Sequence, residues 1–223
     1  MTWVKICGTT NLEDARAAVE AGADAVGFVF AESPRQIQPE AAAKIVRELS
    51  PQVEKVGVFV NHPAERIREI VEQVGLTALQ LHGDEQDLAR SEAILPWAEE
   101  RGLRIIVAVS GLEGAGTGVK RPKTGAHSRT ALLVDSMTPS LRGGSGVTWD
   151  WKQLAPFVDA IRGAVDVIVA GGLQTENVQE AIRVLHPWGV DVVSGVEREP
   201  GKKDHEKVKA FVAAVRAAET LRG

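Results

Sequence analysis

The sequence contains little that would support disulfides, membrane insertion or export. Cysteine occurs once among the 223 residues, at Cys7, so no intrachain disulfide can form. There is no run of about 18 apolar residues, so no membrane-spanning helix is predicted. The amino-terminal residues lack both a long apolar core and an Arg-rich amphipathic stretch, so we expect no signal or transit peptide. The cytoplasm is therefore the expected compartment.

The charge of the chain favours no polyanionic partner. Charged residues make up 25% of the sequence and the formal net charge is −4. Nothing in this balance marks a nucleic-acid or membrane binder. A hydrophobic fraction of 44% at this length is enough for a sizeable core. We expect a single domain over residues 1–223, because barrels of this size routinely fold as one unit.

A short apolar run, a loop and an amphipathic helix recur along the chain. The apolar runs are nearly continuous rather than alternating, as expected for strands buried on both faces of a parallel sheet. The eight predicted strands cover residues 3–6, 25–30, 55–60, 78–81, 104–109, 131–135, 165–170 and 190–193. Helical patterns cover residues 12–22, 39–49, 63–75, 176–185 and 205–221. Alternating strands and helices predict parallel βαβ units. Eight of them favour a closed (β/α)8 TIM barrel over an open doubly wound sheet.

One segment interrupts this rhythm. Residues 110–130 follow the fifth strand and contain five glycines, which leave no room for a regular helix. The fifth crossover is therefore predicted to be irregular. It is either a tolerated surface insertion or a lid over the mouth of the barrel.

Two residues stand out where reactive groups are expected. In a (β/α)8 barrel these groups lie at the carboxyl ends of the strands and in the loops that follow. Cys7 follows the first strand and Asp135 ends the sixth. A lone cysteine is most often a small buried hydrophobic residue, but with Lys5 nearby it is equally suited to act as a base or a nucleophile. An aspartate after an apolar run often caps it or faces solvent, yet this position favours a catalytic acid.

Glycine-rich segments follow the last three strands. Their candidate phosphate-binding residues are Gly144, Ser145, Gly146, Gly171, Gly172, Ser194 and Gly195. Glycine lets backbone N–H groups approach a phosphate closely, and barrels frequently bind phosphate between the loops after strands seven and eight. Lys5 and Arg35 could add positive charge there, or could form salt bridges or solvated tips. His82 either lines the site or forms a hydrogen bond in the core.

Eight short segments together resemble the phosphoribosylanthranilate isomerase family. In that family's order they are Lys5-Ile-Cys-Gly8, Ser33-Pro-Arg35, Val58-Phe-Val-Asn61, Gln80-Leu-His-Gly83, Leu133-Val-Asp135, Gly143-Gly-Ser-Gly146, Ala170-Gly-Gly-Leu173 and Ser194-Gly-Val-Glu197. The resemblance implies a (β/α)8 barrel without cofactor or metal that acts on a small phosphorylated substrate. The implied reaction is the Amadori rearrangement of N-(5'-phosphoribosyl)anthranilate to 1-(2-carboxyphenylamino)-1-deoxyribulose 5-phosphate in tryptophan biosynthesis. Monomer and homodimer both remain open.

The resemblance also implies residue roles. Asp135 would protonate the ring oxygen of the furanose, and Cys7 would then remove the C2' proton. Arg35 would hold the anthranilate carboxylate, which suits a planar guanidinium fork, with Lys5 and His82 as further substrate-binding candidates. Residues 136–146 would form the active-site lid. The chain departs from the family in residues 110–130, where members carry a short helix.

Other functions stay open at this level. A sister phosphosugar enzyme, such as indole-glycerol-phosphate synthase, would need several lysines and glutamates at strand ends. A histidine-pathway ketol isomerase would need a second phosphate cradle. A Schiff-base aldolase would depend on Lys5 alone. A non-catalytic barrel that only binds a phosphorylated metabolite would lose nothing measurable in Cys7→Ser or Asp135→Asn.

Overall fold

The computed structural model describes residues 1–82, 94–110, 129–135 and 151–220. Its eight parallel strands close into a barrel in chain order, with the last strand paired to the first. The strands are β1 (Trp3–Ile6), β2 (Ala25–Val29), β3 (Glu54–Val60), β4 (Ala78–His82), β5 (Arg104–Ser110), β6 (Thr130–Asp135), β7 (Asp166–Ala170) and β8 (Gly189–Val192). The predicted closed barrel is confirmed, and the open doubly wound sheet is excluded.

Helices follow most of the strands. They are α1 (Leu12–Glu20), α2 (Pro39–Arg47), α3 (Ala64–Val74), α4 (residues 94–100), α5 (Trp151–Ile161), α6 (Val178–Leu185) and α7 (His205–Thr220). Proline opens α2 at its first turn, where its missing N–H costs no hydrogen bond. Gly75 ends α3 in the left-handed region at φ 79°, and its N–H donates to the Val71 carbonyl. The start of α2 at proline and the end of α3 at glycine are therefore confirmed, for the reasons on which they were predicted.

The structure contains two helices and a hairpin that were not predicted, and two predicted segments lie largely outside the described residues. The helices α4 and α5 were missed; α5 contains Pro156, which is rare inside a helix and obscures the pattern. A short antiparallel hairpin, β9 (Glu197–Glu199) and β10 (Lys202–Lys203), was also missed. The predicted irregular crossover and the predicted lid fall largely on residues 111–128 and 136–150, which lie outside the described residues.

The strands separate two apolar cores. Because neighbouring side chains on a strand point to opposite faces, Val4 and Ile6 join the core between barrel and helices. Trp3, from the same strand, joins the core inside the barrel. All four residues of β1 are buried, including Lys5, which explains why the strand carries apolar residues on both faces. The inward-facing side chains form rows that run along each strand to the mouth of the barrel, at the carboxyl ends of the strands.

Candidate active site

Three inward rows of side chains end at the same mouth of the barrel. On β6, Ala131 and Leu133 belong to the inner core, so Asp135, two residues further, continues that row to its carboxyl end. On β1 the row that begins at Trp3 continues through Lys5 to Cys7, and on β4 the row from Ala78 ends at His82. Because all eight strands run parallel, these ends share one rim.

Cys7 is held tightly against the neighbouring strand. Cys7 is only 4% exposed, and its backbone N–H donates to the Val192 carbonyl of β8 at 2.9 Å. A Cβ built on Gly27 of β2 would lie 2.6 Å from the Cys7 sulfur, so only glycine leaves room there. Burial raises the pKa of the Cys7 thiol above its ordinary value, although the nearby Lys5 ammonium opposes this rise.

Lys5 lies beneath the thiol with no exposed surface. Its Nζ donates to Gln80 Oε1 at 2.8 Å and to Asp191 Oδ1 at 3.0 Å. Burial by itself would lower the pKa of Lys5, but Asp191 and the Cys7 thiolate outweigh it, and the pKa is raised. Of the alternatives open for Lys5, the structure shows the salt bridge. Asp191 was not predicted to take part, whereas Gln80 was among the residues expected at the carboxyl end of its strand.

Arg35 reaches the rim from the loop after β2. Its Nε and Nη2 donate to the two carboxylate oxygens of Glu197 at 2.8 and 2.7 Å. The Arg35 side chain remains 23% exposed. Glu197 Oε1 also accepts from the Gly201 N–H at 3.2 Å and from Nζ of the fully buried Lys203 at 3.2 Å. Burial would raise the pKa of Glu197, but Arg35 and Lys203 together lower it.

Glu197→Ala is expected to lower the free energy of unfolding by about 3–5 kcal/mol, because Lys203 would stay buried without its counter-ion. Urea unfolding followed by tryptophan fluorescence measures this loss. The matched control is Glu199→Ala on the same hairpin, since Glu199 pairs with Lys202 in an exposed ion pair and the urea midpoint should not change. Equal midpoints for the two variants would contradict the structural role of Glu197.

The loops after β7 and β8 touch each other at the predicted phosphate site. A Cβ on Gly195 would overlap the carbonyl oxygen of Leu173, so the two backbones approach as only glycine allows. Gly171 and Gly172 are both left-handed, at φ 85° and 65°, and the space where a Gly172 side chain would stand is open. Ser194 is exposed beside Gly195. Gly144, Ser145 and Gly146 lie outside the described residues.

Asn177 fixes the β7 loop and was missed by sequence reasoning. Its side-chain amide donates to the Gly172 carbonyl at 2.9 Å, and its side-chain oxygen accepts from the Gln174 N–H at 2.9 Å. An asparagine that bonds the backbone a few residues before it is typical of a structured loop. In the sequence, the only signal for these hydrogen bonds was that Asn177 follows Gln174 by three residues, within reach of its backbone N–H.

The described part of the chain offers no group of three or more His, Cys, Asp or Glu side chains that could hold a metal ion. Within the same residues, no helix is both long and apolar enough to cross a membrane.

Comparison with known proteins identifies the family. The sequence model described as N-(5'phosphoribosyl)anthranilate (PRA) isomerase matches residues 4–214. The chain belongs to the phosphoribosylanthranilate isomerase family. An N-(5'-phosphoribosyl)anthranilate isomerase of Thermotoga maritima is 45% identical over 216 residues, which are 95% of this chain and 97% of that relative.

Solved structures of phosphoribosylanthranilate isomerases share the fold. That of Thermotoga maritima superposes with a TM-score of 0.82 at 43% identity, covering 97% of this chain and all of that one (100%). Another, in complex with reduced 1-(o-carboxyphenylamino)-1-deoxyribulose 5-phosphate, gives a TM-score of 0.78 at 40% identity and covers 97% and 100% of the two chains. The family resemblance seen in eight short segments is therefore confirmed over nearly the whole chain.

Proposed function

We propose that this chain isomerises N-(5'-phosphoribosyl)anthranilate to 1-(2-carboxyphenylamino)-1-deoxyribulose 5-phosphate by acid–base catalysis, with Asp135 as the acid and Cys7 as the base. The observation that carries the proposal is the family match over residues 4–214 together with an acid and a thiol that end inward rows at one rim. A relative of the same fold, solved with a reduced form of that product, supports it.

The proposed reaction needs one proton delivered and one removed. Asp135 donates its proton to the ring oxygen, the bond from that oxygen to C1' breaks, and the anthranilate nitrogen lone pair forms an iminium. The Cys7 thiolate then takes the C2' proton, the C–H electrons form the C1'–C2' double bond of the enolamine, and the π electrons of the iminium return to nitrogen. Tautomerisation gives the ketone. Positioned acids and bases each contribute about 10²–10⁴-fold to such a rate.

Further residues of the rim are proposed to bind the substrate. The Arg35 side chain keeps exposed surface in addition to its pair with Glu197, and a guanidinium suits the anthranilate carboxylate. Gly171, Gly172 and the adjoining Ser194 and Gly195 would hold the phosphate with backbone N–H groups, as would the segment 144–146. The half-buried His82 at the end of β4 is placed for a substrate contact. Full burial of Lys5 favours a role through the thiol over direct contact with substrate.

The test is conversion of freshly generated N-(5'-phosphoribosyl)anthranilate by the purified protein, followed by loss of the fluorescence of the anthranilate adduct. We expect turnover by the parent chain and a severe loss in Cys7→Ala. A parent chain that binds the compound without consuming it would instead be the non-catalytic barrel, and the proposal would fail.

The oligomeric state is proposed to be monomer or homodimer. One related structure, 40% identical with a TM-score of 0.75, is of monomers generated from the dimeric phosphoribosylanthranilate isomerase of Thermotoga maritima, which supports both states for this fold. Sedimentation equilibrium of the purified chain distinguishes them. We also propose the cytoplasm as its location, because the reaction serves amino-acid biosynthesis.

A further inference from the structure

A buried charge cluster lies directly below the thiol of Cys7. Lys5 Nζ donates to Asp191 Oδ1 at 3.0 Å and to Gln80 Oε1 at 2.8 Å. Lys5 has no exposed side-chain surface, and the Asp191 side chain is 5% exposed. The cluster joins three strands, β1, β4 and β8, and Lys5 and Asp191 are direct partners in the register of β1 and β8.

The ammonium and the thiol stand side by side against β2. The Cβ position of Gly27 lies 2.6 Å from the Cys7 sulfur and 3.0 Å from Lys5 Cε. Lys5 and Cys7 are two residues apart in one extended segment, so both side chains point into the barrel. The other charged groups near the thiol, Lys203 and Arg35, both bond Glu197. On β2 the facing residue, Gly27, has no charge.

The charges of Lys5, Asp191 and Cys7 determine how easily the thiol ionises. With the thiol protonated, Lys5 and Asp191 cancel. Ionising Cys7 then leaves these three groups with a net negative charge away from water, which is costly, and the nearby Lys203 ammonium offsets only part of that cost. Without Asp191, the same ionisation would convert a lone buried ammonium into a neutral pair and would be favoured. Without Lys5, it would place two anions together and would be strongly opposed.

We propose that Lys5 and Asp191 are positioning residues that act in opposite directions on the ionisation of Cys7, Lys5 promoting the thiolate and Asp191 restraining it. Gln80 holds the ammonium at the distance that lets it serve both anions. The inference deepens the proposed function and rests on Cys7 being its base. The thiol is thus kept mostly protonated in the resting site, and its basicity is set by three residues that need not touch the substrate.

The composition of the chain makes the test direct. It has one cysteine and no tyrosine, so the ultraviolet absorbance of a thiolate rises on a background free of tyrosinate. Each variant is titrated with pH, and the same titration of Cys7→Ala is subtracted. Lys5→Met should move the thiolate midpoint upward by about 1–3 pH units, and Asp191→Asn should move it downward by about one unit. Gln80→Glu, which adds a second anion beside Nζ, should move it upward.

The opposite signs separate this proposal from a structural role, because loosened packing would shift Lys5→Met and Asp191→Asn the same way. Lys202→Met, on the exposed face of the hairpin, is the control and should not move the midpoint. If folded Lys5→Met, Asp191→Asn or Gln80→Glu leaves the midpoint unchanged or moves it in the direction opposite to the expected one, the proposal is overturned. The acidic limb of the kcat profile should follow each midpoint. If Cys7→Ala stays active, the catalytic role of Cys7 fails, while the titration still decides the roles of Lys5 and Asp191.

Discussion

Asp135→Asn is expected to lower kcat by about 10²–10⁴-fold with little change in KM or in the urea midpoint. The amide has nearly the shape of the acid but no proton that it can release to the sugar ring oxygen. Asp135 ends β6 at the half-buried rim, so the substitution leaves both apolar cores unchanged. Steady-state fluorescence kinetics measure the loss, and circular dichroism checks the fold.

The same substitution at the opposite end of the barrel is its control. Asp166 begins β7 and lies 3.7 Å from Arg104, far from the mouth. Asp166→Asn should therefore keep the parent kcat. Parent-like turnover by Asp135→Asn, or an equal loss in both variants, would remove Asp135 from the mechanism.

Gly195→Ala is expected to reduce kcat/KM by about 100-fold. The added methyl group would overlap the Leu173 carbonyl oxygen, so the loops after β7 and β8 must separate. A misplacement of about 1 Å in groups that position a substrate costs roughly 10²-fold in rate. We expect inorganic phosphate to raise the melting temperature of the parent chain but not that of the variant, because a ligand stabilises only the state that binds it.

Gly163→Ala tests whether any lost glycine has this effect. Gly163 is left-handed at φ 79° with open space around it, between α5 and β7 and away from the mouth. Its substitution should cost about 1–2 kcal/mol of backbone strain and leave kcat/KM and phosphate stabilisation unchanged. If Gly195→Ala behaved in the same way, the contact between the two loops would not form the phosphate site.

The strands of the barrel could be predicted because their burial is evident from the residues of each strand alone. The run at residues 3–6 coincides with β1, and the run at 25–30 differs from β2 by one residue. Strands that are buried on both faces are mostly apolar at successive positions. Each such strand can therefore be recognised from its own residues, without knowing which strands lie beside it. Helix ends with a specific residue, such as Gly75, were predictable for the same local reason.

The partners of the site residues could not be predicted as readily, because they lie far apart in the chain. Lys5 and Asp191 are separated by 186 residues, and Arg35 and Glu197 by 162. A signal was nevertheless present: Asp191 interrupts an apolar run, and a buried carboxylate requires a partner. The closed barrel places the eighth strand beside the first, which makes Lys5 the nearest candidate.

Pairing of the first strand with the last also constrains how the protein can be made. β1 leaves the ribosome first, whereas β8, which pairs with all four of its residues, arrives only after residue 188. Until then a seven-strand intermediate would carry two open edges, and the ammonium of Lys5 would have no carboxylate to neutralise it. Packing an interior around such a charge is unfavourable. A nascent chain that ends before residue 189 should therefore stay loosely collapsed, and synthesis of the final strand should be the event that commits it to the native state.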